Sequence, residues 1–139
     1  MLTAFVLDAS IAVAATLQDE TNLAVALHLM GEAERLGAAV PALWPTELGN
    51  ALLVASRRGR ISDDQLRDAL RRLLALNLRI EPADPVILWE GPITLALRHR
   101  LTLYDATYLD LAMRLGVPLA SFDAALRAAA TAEGITPLP

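Results

Sequence analysis

The chain has 139 residues and a formal net charge of -4, and 55% of its residues are hydrophobic against 20% that are charged. This length fits a single domain over residues 1–139, and the apolar content excludes a disordered chain while leaving apolar surface for a partner to cover. The acidic balance argues against a general basic surface for nucleic acid, and the absence of cysteine excludes disulfides and cysteine-ligated zinc.

Short apolar runs alternate with stretches of helical periodicity along the chain. In chain order the predicted elements are a strand at 3–7, helices at 10–17 and 21–36, a strand at 38–40, and helices at 45–58 and 62–74. Residues 77–80 are compatible with a strand and equally with one more turn of the preceding helix. A broken helix at 84–100, a helix at 103–115, a strand at 117–121, a helix at 123–131 and a strand at 135–136 follow. No uncharged stretch reaches the roughly 18 apolar residues of a membrane helix, and the start of the chain has no basic signal-peptide region. We therefore expect a cytoplasmic protein.

Capping signals define several of these helix ends. Ser10 is predicted to be the N-cap of the first helix, and Ser62 with Gln65 forms a capping box. Gly37 stands where the second helix should end. Gly91, followed by proline, predicts the break in the helix at 84–100.

Strands separated by helices predict parallel pairing through right-handed crossovers, with helices on both faces of the sheet. The expected fold class is therefore α/β, with a central parallel sheet flanked by helices. Binding sites in such folds lie beyond the carboxyl ends of the strands. Asp8 and Asp123 each follow a predicted strand, so both are candidates for one site.

The absence of lysine excludes several families that place an aspartate after the first strand. Receiver domains and haloacid-dehalogenase-like phosphatases each need a lysine, and every basic residue of this chain is arginine or histidine. The sequence also has no P-loop and no glycine-rich dinucleotide fingerprint. A histidine nucleophile is poorly supported, since His28 lies in the middle of a helix and His99 lies between two arginines.

Four segments contain the remaining candidate chemistry: Leu7-Asp8-Ala9-Ser10, Pro45-Thr46-Glu47-Leu48-Gly49-Asn50, Leu103-Tyr104-Asp105-Ala106-Thr107-Tyr108-Leu109 and Ser121-Phe122-Asp123-Ala124-Ala125-Leu126. In order and spacing they resemble the PIN domain family, and in particular the VapC-type toxins of bacterial toxin–antitoxin pairs. The resemblance runs from Phe5 to about Leu126, and the segment that contains Asp105 is its most specific part.

This resemblance implies a three-layer PIN-like domain with an acidic pocket for Mg²⁺ or Mn²⁺ and endonuclease activity on RNA. It implies catalytic roles for Asp8, Glu47, Asp105 and Asp123, with the three aspartates as metal ligands. Ser10 and Asn50 match positions that often support this pocket by hydrogen bonding.

The physical chemistry of four adjacent carboxylates favours a cation independently of the resemblance. Such groups repel one another, and some stay protonated unless a positive charge compensates. Oxygen-only ligation suits a hard ion such as Mg²⁺ or Mn²⁺. The sequence leaves open whether one ion or two are held.

Each acidic position also has a simpler structural explanation. Asp8 and Asp123 could each cap the following helix, and Glu47 and Asp105 lie in first helical turns, where carboxylates favour the helix dipole. For Ser10 the N-cap role is about as strong as a site role. The occurrence of all four carboxylates in one order is what favours the site.

Neighbouring residues are expected to serve the fold or the surface. Asp110 is predicted to be a surface charge that faces away from the pocket, because it lies about 140° around the helix from Asp105. Tyr104 and Tyr108 are predicted to pack rather than to stack on bases. The arginines and histidine at 98–100 are the better candidates for contact with phosphate.

The leading functional hypothesis is a cytoplasmic endoribonuclease toxin that forms a homodimer and is held inactive by a cognate antitoxin, a segment of which fills an apolar groove. One rival is a housekeeping RNA-processing nuclease of the same fold without an antitoxin. Another is a regulatory or scaffold domain that has lost catalysis. The four filled acidic positions argue against lost catalysis.

Overall fold

The computed structural model describes residues 3–18 and 21–139. Within these residues the strands are β1 (Phe5–Leu7), β2 (Ala38–Pro41), β3 (Leu78–Glu81), β4 (Leu119–Ala120) and β5 (Pro137–Leu138). The helices are α1 (Ala9–Leu17), α2 (Leu23–Leu36), α3 (Trp44–Arg57), α4 (Asp63–Leu74), α5 (Pro85–Leu88), α6 (Gly91–His99), α7 (Leu103–Leu115) and α8 (Ala124–Ala132). None of the described helices is long and apolar enough to span a membrane.

The strands form one sheet in the order β3-β2-β1-β4-β5, and every pairing is parallel. Connections from β1 to β3 run toward one edge of the sheet, and the chain then returns to the opposite side for β4 and β5. Because such crossovers are right-handed, this reversal places α1 to α4 on one face and α5 to α8 on the other. The prediction of an α/β fold with a covered parallel sheet is confirmed.

The centre of the sheet fixes the position of the strand ends. All three side chains of β1 are buried and apolar, as both faces of a central parallel strand require. Helix α7 packs on β1 and β2 from one side. The connections that follow β1 and β4 lead to opposite faces, so a crevice opens between their carboxyl ends. Asp8 directly follows β1, and Ser121 directly follows β4.

Most of the predicted helix boundaries are confirmed. The capping box of Ser62 and Gln65 is present in both directions, and Gly37 follows the last residue of α2. The predicted break lies between α5 and α6, and α6 begins at Gly91. Helix α7 ends at Gly116, whose φ of 66° is the left-handed conformation that favours glycine.

Two boundary predictions are wrong. Helix α1 begins at Ala9 with Asp8 in the N-cap position, so Ser10 lies inside the helix and is not its cap. The helix starts earlier because the N–H of Ile11 already bonds the carbonyl of Asp8, at 3.2 Å. The last strand is β5 rather than residues 135–136, because the N–H of Ile135 closes the end of α8 by bonding the carbonyl of Ala130 at 2.8 Å.

The prediction that Asp110 is a surface charge is also wrong. Its side chain is buried, and the Nε of Arg114 donates a hydrogen bond to its Oδ2 at 2.8 Å. Its Oδ1 lies where a Cβ at position 91 would stand, so Gly91 is needed for this contact. Helix α6 covers this face of α7, which the angle around one isolated helix could not reveal.

Candidate active site

Four acidic residues gather at the carboxyl edge of the sheet. Asp8 follows β1, Glu47 lies in the first turn of α3, Asp105 lies in the first turn of α7, and Asp123 is the N-cap of α8. The charges of the other three all raise the pKa of Asp105, which shows that the fold brings these carboxylates together. The four motif positions therefore lie near enough to influence one another, and we refer to this cluster of four carboxylates as the pocket.

Asp8 is clamped between two serine hydroxyls. The Oγ atoms of Ser10 and Ser121 both donate to its Oδ2, each at 2.7 Å. The Oγ of Ser10 in turn accepts a hydrogen bond from the backbone N–H of Phe122 at 3.1 Å. The Oγ of Ser121 accepts one from the backbone N–H of Asp123 at 3.0 Å. One carboxylate thus ties the end of β1 to the loop after β4. It makes no capping bond to α1, so the simple helix-cap explanation does not account for it.

The environment of Asp8 opposes its charge. Burial is the largest effect and raises the pKa of this carboxyl above its ordinary value, and the charge of Asp123 raises it further. The hydrogen bonds from Ser10 and Ser121 lower the pKa but do not reverse the direction. The two serines therefore make the charged form of a buried carboxylate less unfavourable.

Glu47 is held by a tyrosine. The hydroxyl of Tyr108, whose side chain is fully buried, donates to Oε1 of Glu47 at 2.7 Å. Burial raises the pKa of Glu47, the bond from Tyr108 lowers it, and the charge of Asp8 raises it. Burial and the adjacent Glu47 place the pKa of Tyr108 well above its ordinary value, so the phenol stays a neutral donor.

Asp105 has the largest resolved perturbation among the four carboxyls. Its pKa is raised from 3.8 to about 6, with burial as the largest cause, followed by the charges of Asp123, Asp8 and Glu47 in that order. A group that carries this pKa is only partly ionised in slightly acidic conditions. It is the position at which an added positive charge would be most strongly favoured.

Asp123 is exposed and caps α8, since its Oδ1 accepts the N–H of Leu126 at 2.8 Å. The helix-cap explanation is therefore correct for one of its oxygens, and its charge still acts on Asp8 and Asp105. Asn50 is exposed one turn after Glu47. Its role in the site stays a prediction.

Two residues that support the pocket, Ser121 and Tyr108, were not predicted to do so from the sequence. Ser121 was quoted only as part of a motif, and Tyr108 was predicted merely to pack. For Ser121 a signal was present, because it follows β4 directly, as Asp8 follows β1. For Tyr108 the spacing of three residues from Asp105 placed both on one side of α7, but nothing local indicated that Glu47 would be its partner.

The predicted phosphate contacts at 98–100 meet a different partner. Nη1 of Arg98 lies 2.8 Å from Oε2 of Glu133, and Nε2 of His99 lies 2.9 Å from the same oxygen. These bonds join the end of α6 to the end of α8 and lower the pKa of Glu133. Two of the three residues are therefore engaged in holding helices together.

The donor set of the pocket fits a hard divalent cation. Among the described residues, no three histidine, aspartate or glutamate side chains already stand close enough to enclose a metal ion. Three of the carboxylates are instead held by hydrogen bonds: Asp8 by two serines, Glu47 by Tyr108 and Asp123 by a backbone N–H. Every candidate ligand atom is a carboxylate oxygen, which suits Mg²⁺, and Mg²⁺ characteristically keeps several waters between itself and the protein.

Comparison with known proteins gives consistent matches over most of the chain. A profile of the PIN domain matches residues 5–132. The Ribonuclease VapC1 of Mycobacterium tuberculosis is 38% identical over 106 residues, which are 76% of this chain and 77% of that protein. The Ribonuclease VapC3 of Pyrobaculum aerophilum is 30% identical over 118 residues, which are 85% of this chain and 88% of that protein. The crystal structure of PAE2754 from Pyrobaculum aerophilum matches with a TM-score of 0.73 and 25% identity, over 97% of this chain and 83% of that chain.

Proposed function

Because the chain belongs to the PIN domain family, and within it to the VapC-type ribonucleases, we propose that it is a metal-dependent endoribonuclease that hydrolyses phosphodiester bonds of RNA. The observation that supports this most strongly is the convergence of four carboxylates at the carboxyl edge of the sheet, where the charges of the other three raise the pKa of Asp105. Within residues 3–18 and 21–139 no arginine or histidine forms an ion pair with this cluster, and a cluster of that kind is suited to a bound cation.

Asp8, Asp105 and Asp123 are the proposed ligands of Mg²⁺ or Mn²⁺. When bound, the cation supplies positive charge to the scissile phosphate and to the departing 3′-oxygen, and makes water more acidic. The serine clamp keeps the Asp8 carboxylate in one orientation during this chemistry. Glu47 has a raised pKa and a fixed orientation, which suit it to accept the proton of the attacking water. Hydrolysis in this sense leaves a 5′-phosphate.

The finer proposal is that the protein is the toxin of a type II toxin–antitoxin pair, acts in the cytoplasm, forms a homodimer and is inhibited by a cognate antitoxin. Membership among the VapC-type ribonucleases supports it. Large apolar side chains also stand in solvent among the described residues, including Leu97 at 79% exposure, Val86 at 71% and Trp89 at 67%. Surfaces of this kind mark sites that partners cover.

The test is cleavage of a fluorescent RNA by the purified chain with Mg²⁺ or Mn²⁺ and with EDTA. We expect cleavage with either cation and none in chelator. Expression in cells with and without the neighbouring gene separates a toxin from a housekeeping nuclease, because only a toxin should need that gene for growth. Undiminished cleavage in EDTA would contradict the metal mechanism.

A further inference from the structure

The contact between Tyr108 and Glu47 joins distant parts of the chain inside the pocket. Tyr108 lies on α7, three residues after Asp105, and its side chain is fully buried. Its hydroxyl reaches Oε1 of Glu47 on α3, 61 residues away in sequence, at 2.7 Å. Tyr104, one turn earlier on the same helix, is 63% exposed. The buried tyrosine is thus directed to a carboxylate rather than to the solvent.

A neutral donor is well suited to this position. Glu47 has a flexible side chain, and the nearby charge of Asp8 repels its carboxylate. Without a partner, the carboxylate would turn toward solvent and lose its place in the pocket. An arginine partner would hold it but would also cancel the negative charge that attracts a cation. Among the described residues, no arginine or histidine forms an ion pair with any of the four site carboxylates.

We propose that Tyr108 is a positioning residue: its hydroxyl fixes the Glu47 carboxylate toward the pocket while leaving its charge intact, and thereby sets both cation affinity and cleavage rate. This inference rests on the proposed nuclease function and adds a residue to its machinery. Glu47 acts on the cation through its charge and on the reaction as proton acceptor, and the benchmark for the effect is the loss of outer hydrogen-bonding partners in metal sites, which commonly weakens metal affinity or activity by about 10- to 100-fold.

The experiment compares Tyr108→Phe, which removes only the hydroxyl, with Tyr104→Phe as the matched control on the same helix. Mn²⁺ affinity is measured by titration calorimetry, and kcat and KM are measured on a fluorescent RNA. For Tyr108→Phe we expect Mn²⁺ binding weakened by about tenfold and kcat lowered by 10-fold or more, with KM changed less than about twofold. Tyr104→Phe should match the parent protein in Mn²⁺ affinity.

A double-mutant cycle with Glu47→Gln separates positioning from a general structural role. If Tyr108 acts through Glu47, then adding Tyr108→Phe to Glu47→Gln should change Mn²⁺ affinity and kcat less than about twofold. A purely structural tyrosine would lower both quantities by the same factor in either background. Equal effects in both backgrounds would therefore overturn the proposal.

A spectroscopic measurement keeps the proposal testable if Tyr108→Phe does not fold. The chain has two tyrosines, so Tyr104→Phe leaves Tyr108 as the sole tyrosine. Tyrosine labelled at Cζ then gives one NMR resonance, which we expect Mg²⁺ to shift clearly more in Tyr104→Phe than in Tyr104→Phe/Glu47→Gln. No shift in Tyr104→Phe, with Mg²⁺ bound, would overturn the proposal.

The outcome also distinguishes this inference from the proposed function. If the parent protein binds Mn²⁺ and cleaves RNA, while Tyr108→Phe does both equally well, only the role of Tyr108 is wrong. If the parent protein neither binds Mn²⁺ nor cleaves RNA, the nuclease proposal fails and the role of Tyr108 fails with it.

Discussion

Replacing Asp105 by asparagine should make the metal-free protein more stable and its cation binding weaker. Asp105 carries a charge that burial and three neighbouring carboxylates make unfavourable, so that its pKa rises from 3.8 to about 6. Asparagine keeps the size of the side chain and removes that charge. If the substitution stabilises the metal-free protein, the aspartate serves binding rather than stability.

The size of the effect follows from the pKa. The rise from 3.8 to about 6 corresponds to about 3 kcal/mol of unfavourable free energy at neutral pH. Because the group is only half-buried, solvent screening reduces this to about 1–2 kcal/mol. Losing a carboxylate from a first helical turn costs about 0.5 kcal/mol. The net gain of about 1 kcal/mol should raise the melting temperature by about 2–5 °C for a chain of this size.

The gain should depend on pH in a definite direction. The folded metal-free parent binds more protons than the unfolded chain between the two pKa values, so its stability falls as the pH rises through that range. The advantage of Asp105→Asn is therefore complete well above about pH 6, about half as large near pH 5, and absent below about pH 4. Thermal melts of both proteins in EDTA at these pH values measure it.

The matched control is Asp64→Asn, which changes an exposed aspartate in the first turn of α4. This variant should lose the favourable interaction of a first-turn carboxylate with the helix dipole, and its stability should not increase, because Asp64 is exposed. With saturating Mn²⁺ the parent protein should have a higher melting temperature than Asp105→Asn, because the parent binds Mn²⁺ more tightly and is stabilised more by it. If Asp105→Asn in EDTA melts well below the parent at neutral pH, Asp105 is a structural residue and the assignment is wrong.

Three further predictions follow from the described contacts. Asp8→Ala should abolish RNA cleavage and growth inhibition yet still co-purify with the product of the adjacent gene; loss of both properties would mean that Asp8 holds the fold. Ser121→Ala removes the hydrogen bond to the buried Asp8, so it should lower the free energy of unfolding by about 1–2 kcal/mol in denaturant titrations and slow RNA cleavage. The control Ser56→Ala removes an exposed hydrogen bond to Asp63 and should lower the free energy of unfolding by less than about 0.5 kcal/mol. Gly91→Ala should destabilise the protein by about 1–3 kcal/mol, because the new methyl group would clash with the buried carboxyl of Asp110. The control Gly31→Ala has open space around it and should stabilise the protein by up to about 1 kcal/mol. Equal melting temperatures of the two variants would refute the close contact.

Local signals in the sequence account for the parts of the fold that were predicted well. Helix α7 has the predicted bounds of 103–115, and the glycine at its end adopts the left-handed conformation that such an end needs. Strand β5 was misplaced because it has two residues, and its position depends on pairing with β4 rather than on its own composition. The start of α1 was misplaced because Ser10, a good cap by type, is engaged by the carboxylate of Asp8.

The site could be located from sequence but not assembled from it. Strand ends and motif order were enough to name the four carboxylates, because parallel topology brings such positions to one edge. Their partners were not readable, since the bond from Ser121 to Asp8 spans 113 residues and that from Tyr108 to Glu47 spans 61. Asp110 was misjudged for the same reason, because its burial depends on α6 and on Gly91.

The pocket divides its residues into two classes that respond to substitution in opposite ways. The charge of Asp105 destabilises the metal-free fold. Its neutralisation should therefore raise the melting temperature of the metal-free protein and weaken cation binding. Ser121 and Tyr108 bring no charge, and their hydroxyls stabilise carboxylates that burial opposes. Their loss should weaken the metal-free protein and the binding of the cation together. The sign of the change in metal-free melting temperature, compared with the change in Mn²⁺ affinity, therefore tells a charge-bearing residue from a positioning residue, even where both substitutions abolish cleavage.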